Sequence, residues 1–271
     1  MPFPKFDPII FEIGPFALRW YALAYIAGLW LGWWLIKRSM RSPHIWHTQK
    51  PPATPDHIDD LLLWVTFGTI LGGRLGYVLF YNPAYFFNNP SEILAVWQGG
   101  MSFHGGFLGV VIAVFLFARK HAIPILSLGD MVAATAPIGI FFGRLANFIN
   151  SELWGRVTDH PFGIIFPNGG PMPRHPSQLY EAALEGLVLF ILIQIAIYRF
   201  NSLKKPGFTL GLFLIGYGTA RIFVEQFRQP DAHIGFLSYG TTMGFWLSAP
   251  MVVIGIAFIT PALRQYFIKE Q

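Results

Sequence analysis

The chain alternates between apolar blocks of about twenty residues and shorter polar segments. A helix of about 20 apolar residues crosses the hydrocarbon core of a bilayer, which is roughly 30 Å thick. The pattern predicts transmembrane helices over residues 16–36, 61–81, 101–118, 128–149, 179–198, 208–227 and 242–263. We therefore expect an all-α integral membrane protein, in which residues 1–271 form one domain, a bundle of about seven transmembrane helices.

The composition agrees with this expectation. Hydrophobic residues make up 54% of the chain and charged residues 12%, whereas soluble domains carry about 25% charged residues. Nine Trp and ten Tyr match the aromatic belts found at both membrane surfaces. The chain has no cysteine, which excludes disulfide bonds, thiolate metal sites and a cysteine nucleophile.

The basic residues between the predicted helices indicate the orientation. The first, third and fifth connecting segments and the C-terminus carry most of the Lys and Arg, whereas residues 82–100 carry none. Because Lys and Arg are concentrated in cytoplasmic loops, we expect a periplasmic N-terminus and a cytoplasmic C-terminus. The net charge of +5 is spread over these segments rather than along one face, so no nucleic-acid partner is expected.

The longest segment on the predicted periplasmic side is residues 151–176, which is rich in Gly and Pro. Such a composition is also typical of a disordered surface loop. We expect a small ordered periplasmic cap instead, because the segment has five large apolar side chains to bury, namely Trp154, Phe162, Ile164, Ile165 and Phe166.

Charged residues inside apolar spans are the main candidates for function, since each costs roughly 2.5–3.5 kcal/mol at mid-span. Arg144, Asn147 and Ser151 are spaced i, i+3 and i+7 and predict one polar stripe on a helix. Arg144 is suited to bind a phosphate through two N–H groups. The alternative is an arginine that extends to the membrane surface and an Asn that bonds to backbone.

A second stripe lies on the sixth span. Tyr217, Arg221, Glu225 and Arg228 share one helical face. Arg221 and Glu225 can pair, and the second arginine then leaves a positive charge that a lipid phosphate could meet. The alternative is a structural ion pair without a ligand.

Two further polar groups lie at the starts of spans. His104 is flanked by glycines on both sides, which allow close approach of a ligand, although a lone His is more often structural. Gln178, Glu181 and Glu185 form a stripe at i, i+3 and i+7, which is also typical of a polar helix start at the membrane surface.

The second span carries a row of glycines on one face and polar or aromatic side chains on another. Gly68, Gly72 and Gly76 recur every four residues and predict close packing against another helix. Arg74, Tyr77 and Tyr81 lie on a different face and are candidates for lining a cavity. No HExxH, GxSxG or GxxxxGK[ST] motif and no ligand cluster occurs, so neither a metal nor a cofactor is expected.

Residues 143–155, GRLANFINSELWG, resemble the signature of the prolipoprotein diacylglyceryl transferase family, G-R-x-[GA]-N-F-x-N-x-E-x-x-G. Other stretches resemble the family in the same order along the chain, with Arg19 where some members carry His: PFALRWY at 15–21, FHGG at 103–106, RHPSQLYE at 174–181, RIFVE at 221–225 and FRQPD at 227–231. The resemblance covers nearly the whole chain.

The resemblance implies a seven-span enzyme of the bacterial inner membrane. It implies transfer of sn-1,2-diacylglyceryl from phosphatidylglycerol to the lipobox cysteine of a preprolipoprotein, which forms a thioether and releases glycerol 1-phosphate. Phosphatidylglycerol is then expected at Arg144. The implied catalytic residues are His104, Arg144, Arg221, Glu152, Asn147 and Tyr21. With the sixth-span stripe, the expected substrate-binding residues are Arg144, Asn147, Gly155, Arg221, Glu225 and Arg228.

The residue types suit that chemistry. A thiol must lose its proton before its sulfur attacks carbon, and His104 is our candidate base because imidazole titrates near neutral pH. Two other functions stay open at this point. One is a transporter of lipids or small anions, although no internal repeat is evident, and the other is a non-catalytic assembly factor whose charges only pair.

Overall fold

The computed structural model describes residues 1–4, 6–13, 16–230 and 235–269. Two motif residues, Pro15 and Asp231, lie outside this part of the chain. The protein is a largely helical integral membrane protein. Its helices, in chain order, are α1 (Trp20–Met40), α2 (Pro55–Phe80), α3 (Pro83–Asn88), α4 (Phe103–Lys120), α5 (Ile125–Ile149), α6 (Ser177–Phe200), α7 (Phe208–Val224) and α8 (Met243–Lys269).

Among the described residues, four helices are long and apolar enough to cross a membrane. They are α2, α5, α6 and the Met243–Pro261 part of α8, and α7 is a shorter apolar helix. At 1.5 Å per residue, α1 and α4 are about 31 and 27 Å long. These lengths are close to the thickness of the hydrocarbon core, but α1 and α4 are not among the four helices above. The total of seven membrane crossings remains a prediction.

The predicted start of the first span is wrong. Phe16–Arg19 is a β-strand, β2, which pairs antiparallel with β1 (Ile9–Ile13), and α1 begins only at Trp20. The second span begins earlier than predicted, at Pro55, because Thr54 caps the helix: its side chain accepts a hydrogen bond from the His57 backbone N–H at 3.2 Å.

Helices α2 and α4 pack with their backbones in close contact. A Cβ added at Gly72 would collide with the carbonyl oxygen of Gly105 and the Cα of Gly109, and a Cβ added at Gly109 would collide with the carbonyl oxygen of Gly68. The predicted small-residue ridge of α2 is thus met by glycines of α4. This packing fixes the N-terminal end of α4, which carries His104.

We expect Gly109→Ala to lower the midpoint of thermal unfolding, because overpacking a close contact costs about 1–3 kcal/mol. Gly139→Ala is the matched control, since a Cβ at that helical position meets nothing within 4 Å. Alanine there should be neutral or stabilising. Tryptophan fluorescence during heating in detergent measures both variants. Equal midpoints for the two would contradict the packing described here.

Arg74 does not line a cavity, contrary to the interpretation from sequence. Arg74 is only 2% exposed. Its guanidinium donates hydrogen bonds to backbone carbonyl oxygens of the segment between α2 and α4. The distances are 2.7 Å to Glu92, 2.7 Å to Ile93, 2.5 Å to Gly99 and 3.2 Å to Gly100. Helix spacing alone could not reveal this, because the acceptors are backbone atoms.

Asp130 of α5 joins two helices. Its buried carboxylate accepts hydrogen bonds from the backbone N–H groups of Gly207 at 2.7 Å and Leu210 at 2.8 Å. These N–H groups lie at the start of α7, where they have no partner within the helix. Asp130 thereby ties α7, which carries Arg221, to α5, which carries Arg144.

Residues 151–176 are folded against the ends of the helices. Ile164 and Arg174 exchange backbone hydrogen bonds of 2.9 and 2.8 Å. Of the five apolar side chains expected to be buried, Phe166 is 1% exposed and packs against Phe148 of α5, whereas Phe162 and Ile165 are exposed. The periplasmic location of this segment remains a prediction.

Candidate active site

Six charged side chains from α5, α6, α7 and the turn that follows α7 meet in the bundle interior. We call them the arginine–glutamate cluster; its members are Arg144, Glu181, Glu185, Arg221, Glu225 and Arg228. The carboxylate of Glu181 is at its centre. It contacts Arg144 at 2.8 Å, Arg221 at 2.8 Å and Arg228 at 3.2 Å, and its side chain has no exposed surface.

Glu185 is the second fully buried carboxylate of the cluster. Its oxygens lie 3.8 Å from Arg144 Nη2 and 3.7 Å from Arg221 Nη1, and neither has a hydrogen-bond partner among the described residues. It lies in a π-helical turn, Ala182–Val188, within α6. Such turns occur frequently at functional sites.

Glu225 completes the cluster on the α8 side. Its carboxylate pairs with Arg221 at 2.7 Å and accepts a hydrogen bond from the Thr242 hydroxyl at 2.6 Å. A Cβ added at Gly244 would collide with this carboxylate. Beside it lies a small, open pocket of about 30 Å³, lined by residues that include Arg221, Glu225, Arg228 and Thr242.

The prediction of an unpaired positive charge on the sixth span is wrong. Arg228, the supposed spare arginine, contacts Glu181 at 3.2 Å and Glu225 at 3.7 Å. Spacing along one helix shows only the charges of that helix, whereas two of the carboxylates come from α6. Within the cluster, three guanidinium groups face three carboxylates.

Two further arginines, Arg156 and Arg174, come from the 151–176 segment. Arg156 donates hydrogen bonds of 2.9 Å to the carbonyl oxygens of Glu225 and Arg228. Arg174 donates to the carbonyl oxygens of Gly169 and Gly155 and stacks over Trp154. Among the described residues neither arginine pairs with a carboxylate, so both bind the backbone and hold the segment against the end of the bundle.

Asn147 connects the signature residues to one another. Its amide nitrogen donates to Glu152 at 2.8 Å and to the Tyr21 hydroxyl at 3.4 Å. Its amide oxygen lies 3.5 Å from Arg144 Nη1. Four residues predicted to be catalytic, Tyr21, Arg144, Asn147 and Glu152, are therefore held together beside the cluster.

Ser151 does not belong to the polar stripe of Arg144 and Asn147. Helix α5 ends at Ile149, and Ser151 has a backbone φ of 54°, which takes it off the helical face. The extrapolation of helical spacing past the end of α5 was therefore wrong.

Gly155 has a structural reason to be glycine. Its backbone N–H donates to the His175 carbonyl oxygen at 2.8 Å, and the residue forms a β-bridge with Arg228. A Cβ would lie 2.5 Å from the Phe227 carbonyl oxygen. The close approach places the 151–176 segment against the arginine-bearing end of α7. Contact of Gly155 with substrate remains a prediction.

His104 lies on α4, which packs against α2 and does not contribute to the arginine–glutamate cluster. It lies in the first turn of α4, its side chain is exposed, and the Ser102 hydroxyl caps this helix by accepting from the Gly105 N–H at 3.2 Å. The helices that build the cluster are α5, α6 and α7. The role of His104 as a base remains a prediction.

Sequence reasoning left Glu181, Glu185 and Arg156 out of the candidate set. The sequence showed the two glutamates as part of one polar stripe. Their position inside an apolar span could have marked them as site residues, because a carboxylate there needs a cation nearby. Gln178 of the same stripe donates to the Glu152 carbonyl oxygen at 2.6 Å. Among the described residues, no group of three or more His, Asp or Glu side chains is arranged to hold a metal.

The sequence profile of the family described as prolipoprotein diacylglyceryl transferase matches residues 8–260. The chain belongs to this family. It is therefore a membrane-embedded transferase, as the resemblance implied. Similar proteins include one from Rhodospirillum rubrum, 57% identical over 267 residues, which cover 97% of this chain and 95% of the relative. Others come from Nitrobacter winogradskyi, 56% identical over 96% and 89% of the two chains, and Agrobacterium fabrum, 54% identical over 94% and 92%.

All three relatives are named phosphatidylglycerol–prolipoprotein diacylglyceryl transferase. These names support an enzyme rather than a transporter or a non-catalytic assembly factor. They do not identify individual residues, so the roles of the cluster residues depend on its geometry.

Proposed function

We propose that the chain transfers the sn-1,2-diacylglyceryl group of phosphatidylglycerol to the lipobox cysteine of a preprolipoprotein. The observation that supports this most strongly is the position of Arg144. Its guanidinium is held by Asn147 and Glu181 inside an apolar bundle. Its side chain is 19% exposed and is therefore more accessible than the side chains of Arg221 and Arg228, each 12% exposed.

Arg144 keeps hydrogen-bonding capacity for a ligand. A guanidinium has five N–H donors, and the contacts to Asn147 and Glu181 engage one hydrogen on each of two nitrogens. A phosphate group accepts two parallel hydrogen bonds from such a fork. Arg144 can therefore bind the lipid phosphate while Glu181 keeps its side chain in place.

The arginines also fit the charge that develops during the reaction. The cysteine sulfur forms a bond to the glyceryl carbon that bears the phosphate, and the bond from this carbon to the phosphate oxygen breaks. The electron pair leaves with glycerol 1-phosphate. Negative charge grows on the departing phosphate, where Arg144 and Arg221 stabilise it in a site with little water.

The thiol proton must be removed before or during the attack, because the thiolate is the nucleophile. We assign this step to His104. His104→Gln should lower kcat by about 10²-fold, as expected when a general base is lost. His44→Gln, at an exposed position between α1 and α2, should keep normal turnover. Near-normal turnover of His104→Gln would show that another group takes the proton.

The topology belongs to the same proposal. Seven spans with a periplasmic N-terminus and a cytoplasmic C-terminus place residues 151–176, Arg144 and the cluster at the periplasmic side of the inner membrane. Phosphatidylglycerol then enters from the surrounding bilayer, and the preprolipoprotein presents its cysteine at the same membrane surface.

The reaction is tested with purified protein in phosphatidylglycerol nanodiscs and a peptide that contains a lipobox cysteine. We expect the peptide mass to increase by one diacylglyceryl group and an equal amount of glycerol phosphate to appear. A peptide with Ser in place of Cys should stay unmodified. Unchanged cysteine peptide, or lipid movement without glycerol phosphate, would refute transferase activity.

A further inference from the structure

The segment between α2 and α4 exposes many large apolar side chains. We call residues 80–101 the aromatic loop. Phe87 is 87% exposed and Trp97 is 82% exposed, and other exposed side chains of the loop are Phe80, Tyr81, Tyr85, Leu94 and Met101. Monomeric soluble surfaces seldom present a contiguous apolar patch of this kind without a partner.

The loop is folded, and its aromatic side chains are exposed because the interior is already occupied. The Arg74 guanidinium lies beneath the loop and donates hydrogen bonds to backbone carbonyl oxygens at both ends of the stretch 92–100. It also lies 5.0 Å from the centre of the Phe86 ring. Gly99 and Gly100 have φ of 83° and 78°, a conformation that glycine adopts readily. Phe86 and Ala95 are buried.

Charge is almost absent from the aromatic loop. Glu92 is its only Asp, Glu, Lys or Arg residue, and the Glu92 carboxylate accepts a hydrogen bond from the Tyr85 hydroxyl at 2.8 Å. The remaining polar side chains are mainly uncharged amides such as Asn82 and Asn88. Aromatic rings combined with uncharged polar groups are typical of the boundary between lipid headgroups and acyl chains.

The exposed surface of the loop continues that of the adjoining helices. Leu75 and Leu79 on α2 are exposed, as are Phe107 and Leu108 on α4. Both helices pack against each other through glycines and leave these side chains on their outer faces. In a membrane these faces contact lipid, so the loop that joins them extends the same lipid-facing surface.

We propose that the aromatic loop is seated in the headgroup–acyl boundary of the bilayer and that phospholipid is its partner. Phe87 and Trp97 insert below the headgroups, and Arg74 holds the loop at a fixed height on α2. Because the loop has no basic residue, its seating depends on apolar and aromatic contact and not on anionic lipid. The loop leads into α4 and thereby sets the depth of the α4 N-terminus in the membrane.

The absence of cysteine in the chain allows a direct test by spin labelling. Phe87→Cys and Trp97→Cys are labelled separately in nanodiscs, with Leu75→Cys as a lipid-facing reference and Asp159→Cys, an exposed position of the 151–176 segment, as an aqueous reference. Collision rates with oxygen, which partitions into lipid, and with a water-soluble nickel chelate report the depth of each label.

We expect labels at positions 87 and 97 to collide preferentially with oxygen, like the label at position 75. The result should be the same in zwitterionic nanodiscs and in nanodiscs that contain phosphatidylglycerol. Preferential collision with the nickel chelate, as at position 159, would overturn the proposal. Low collision rates with both reagents together with dipolar broadening that disappears on dilution with unlabelled protein would identify a second copy as the partner, and would also overturn it.

Discussion

Arg144→Ala is expected to lower kcat/KM for diacylglyceryl transfer by about 10³-fold, the upper part of the range for losing one group that stabilises developing negative charge. The variant loses the forked donor that meets the lipid phosphate and leaves Glu181 with two of its three guanidinium partners. The rate of peptide modification, followed by mass spectrometry over a range of phosphatidylglycerol concentrations, measures the effect.

Two further variants separate chemistry from folding. Arg144→Lys keeps the positive charge next to Glu181 but cannot form two parallel hydrogen bonds, so it should fold normally and still lose most of the activity. Arg41→Ala, at an exposed arginine after α1, should behave like the unmodified protein. Full activity of Arg144→Lys would show that charge alone is sufficient and that the forked geometry is not used.

Glu181→Leu should produce the largest loss of stability. Removing one partner of a buried ion pair leaves an uncompensated buried charge and costs about 3–5 kcal/mol, and Glu181 contacts three guanidinium groups from a position with no exposed surface. We expect a lower midpoint of thermal unfolding, measured by tryptophan fluorescence in detergent, together with loss of transfer activity.

Glu181→Gln and Glu12→Gln make this prediction specific. Glu181→Gln keeps the size of the side chain and two potential hydrogen-bonding groups, so its midpoint should lie between those of Glu181→Leu and the unmodified protein. Glu12→Gln changes an exposed carboxylate of β1 and should leave the midpoint unchanged. A Glu181→Leu variant as stable as Glu12→Gln would mean that the cluster does not need its central carboxylate.

Helix positions were predictable because each span is a local feature. The fourth span, predicted over 128–149, corresponds to α5 at Ile125–Ile149, since a block of about twenty mostly apolar residues needs no tertiary information to be recognised. The start of the first span was not predictable in this way. A short run such as Phe16–Arg19 fits a strand or a helix equally well, and its pairing with Ile9–Ile13 makes it a strand.

The partners of the arginines could not be predicted from spacing along one helix. Arg221 and Glu225 are four residues apart, and their pairing was expected and is present at 2.7 Å. Glu181 lies on α6, 40 residues before Arg221, and only the packing of α5, α6 and α7 brings its carboxylate between the arginines. For the same reason the sequence indicated a surplus positive charge where the structure has a balanced cluster.

The central claim is that Arg144 and Arg221 bind the lipid phosphate beside Glu181. A structure determined in phosphatidylglycerol nanodiscs tests it most directly. We expect phosphate oxygens within about 3.2 Å of guanidinium nitrogens of Arg144, with the glyceryl carbon open to a thiol. A headgroup bound elsewhere, with Arg144 and Arg221 still bonded only to protein groups, would contradict it.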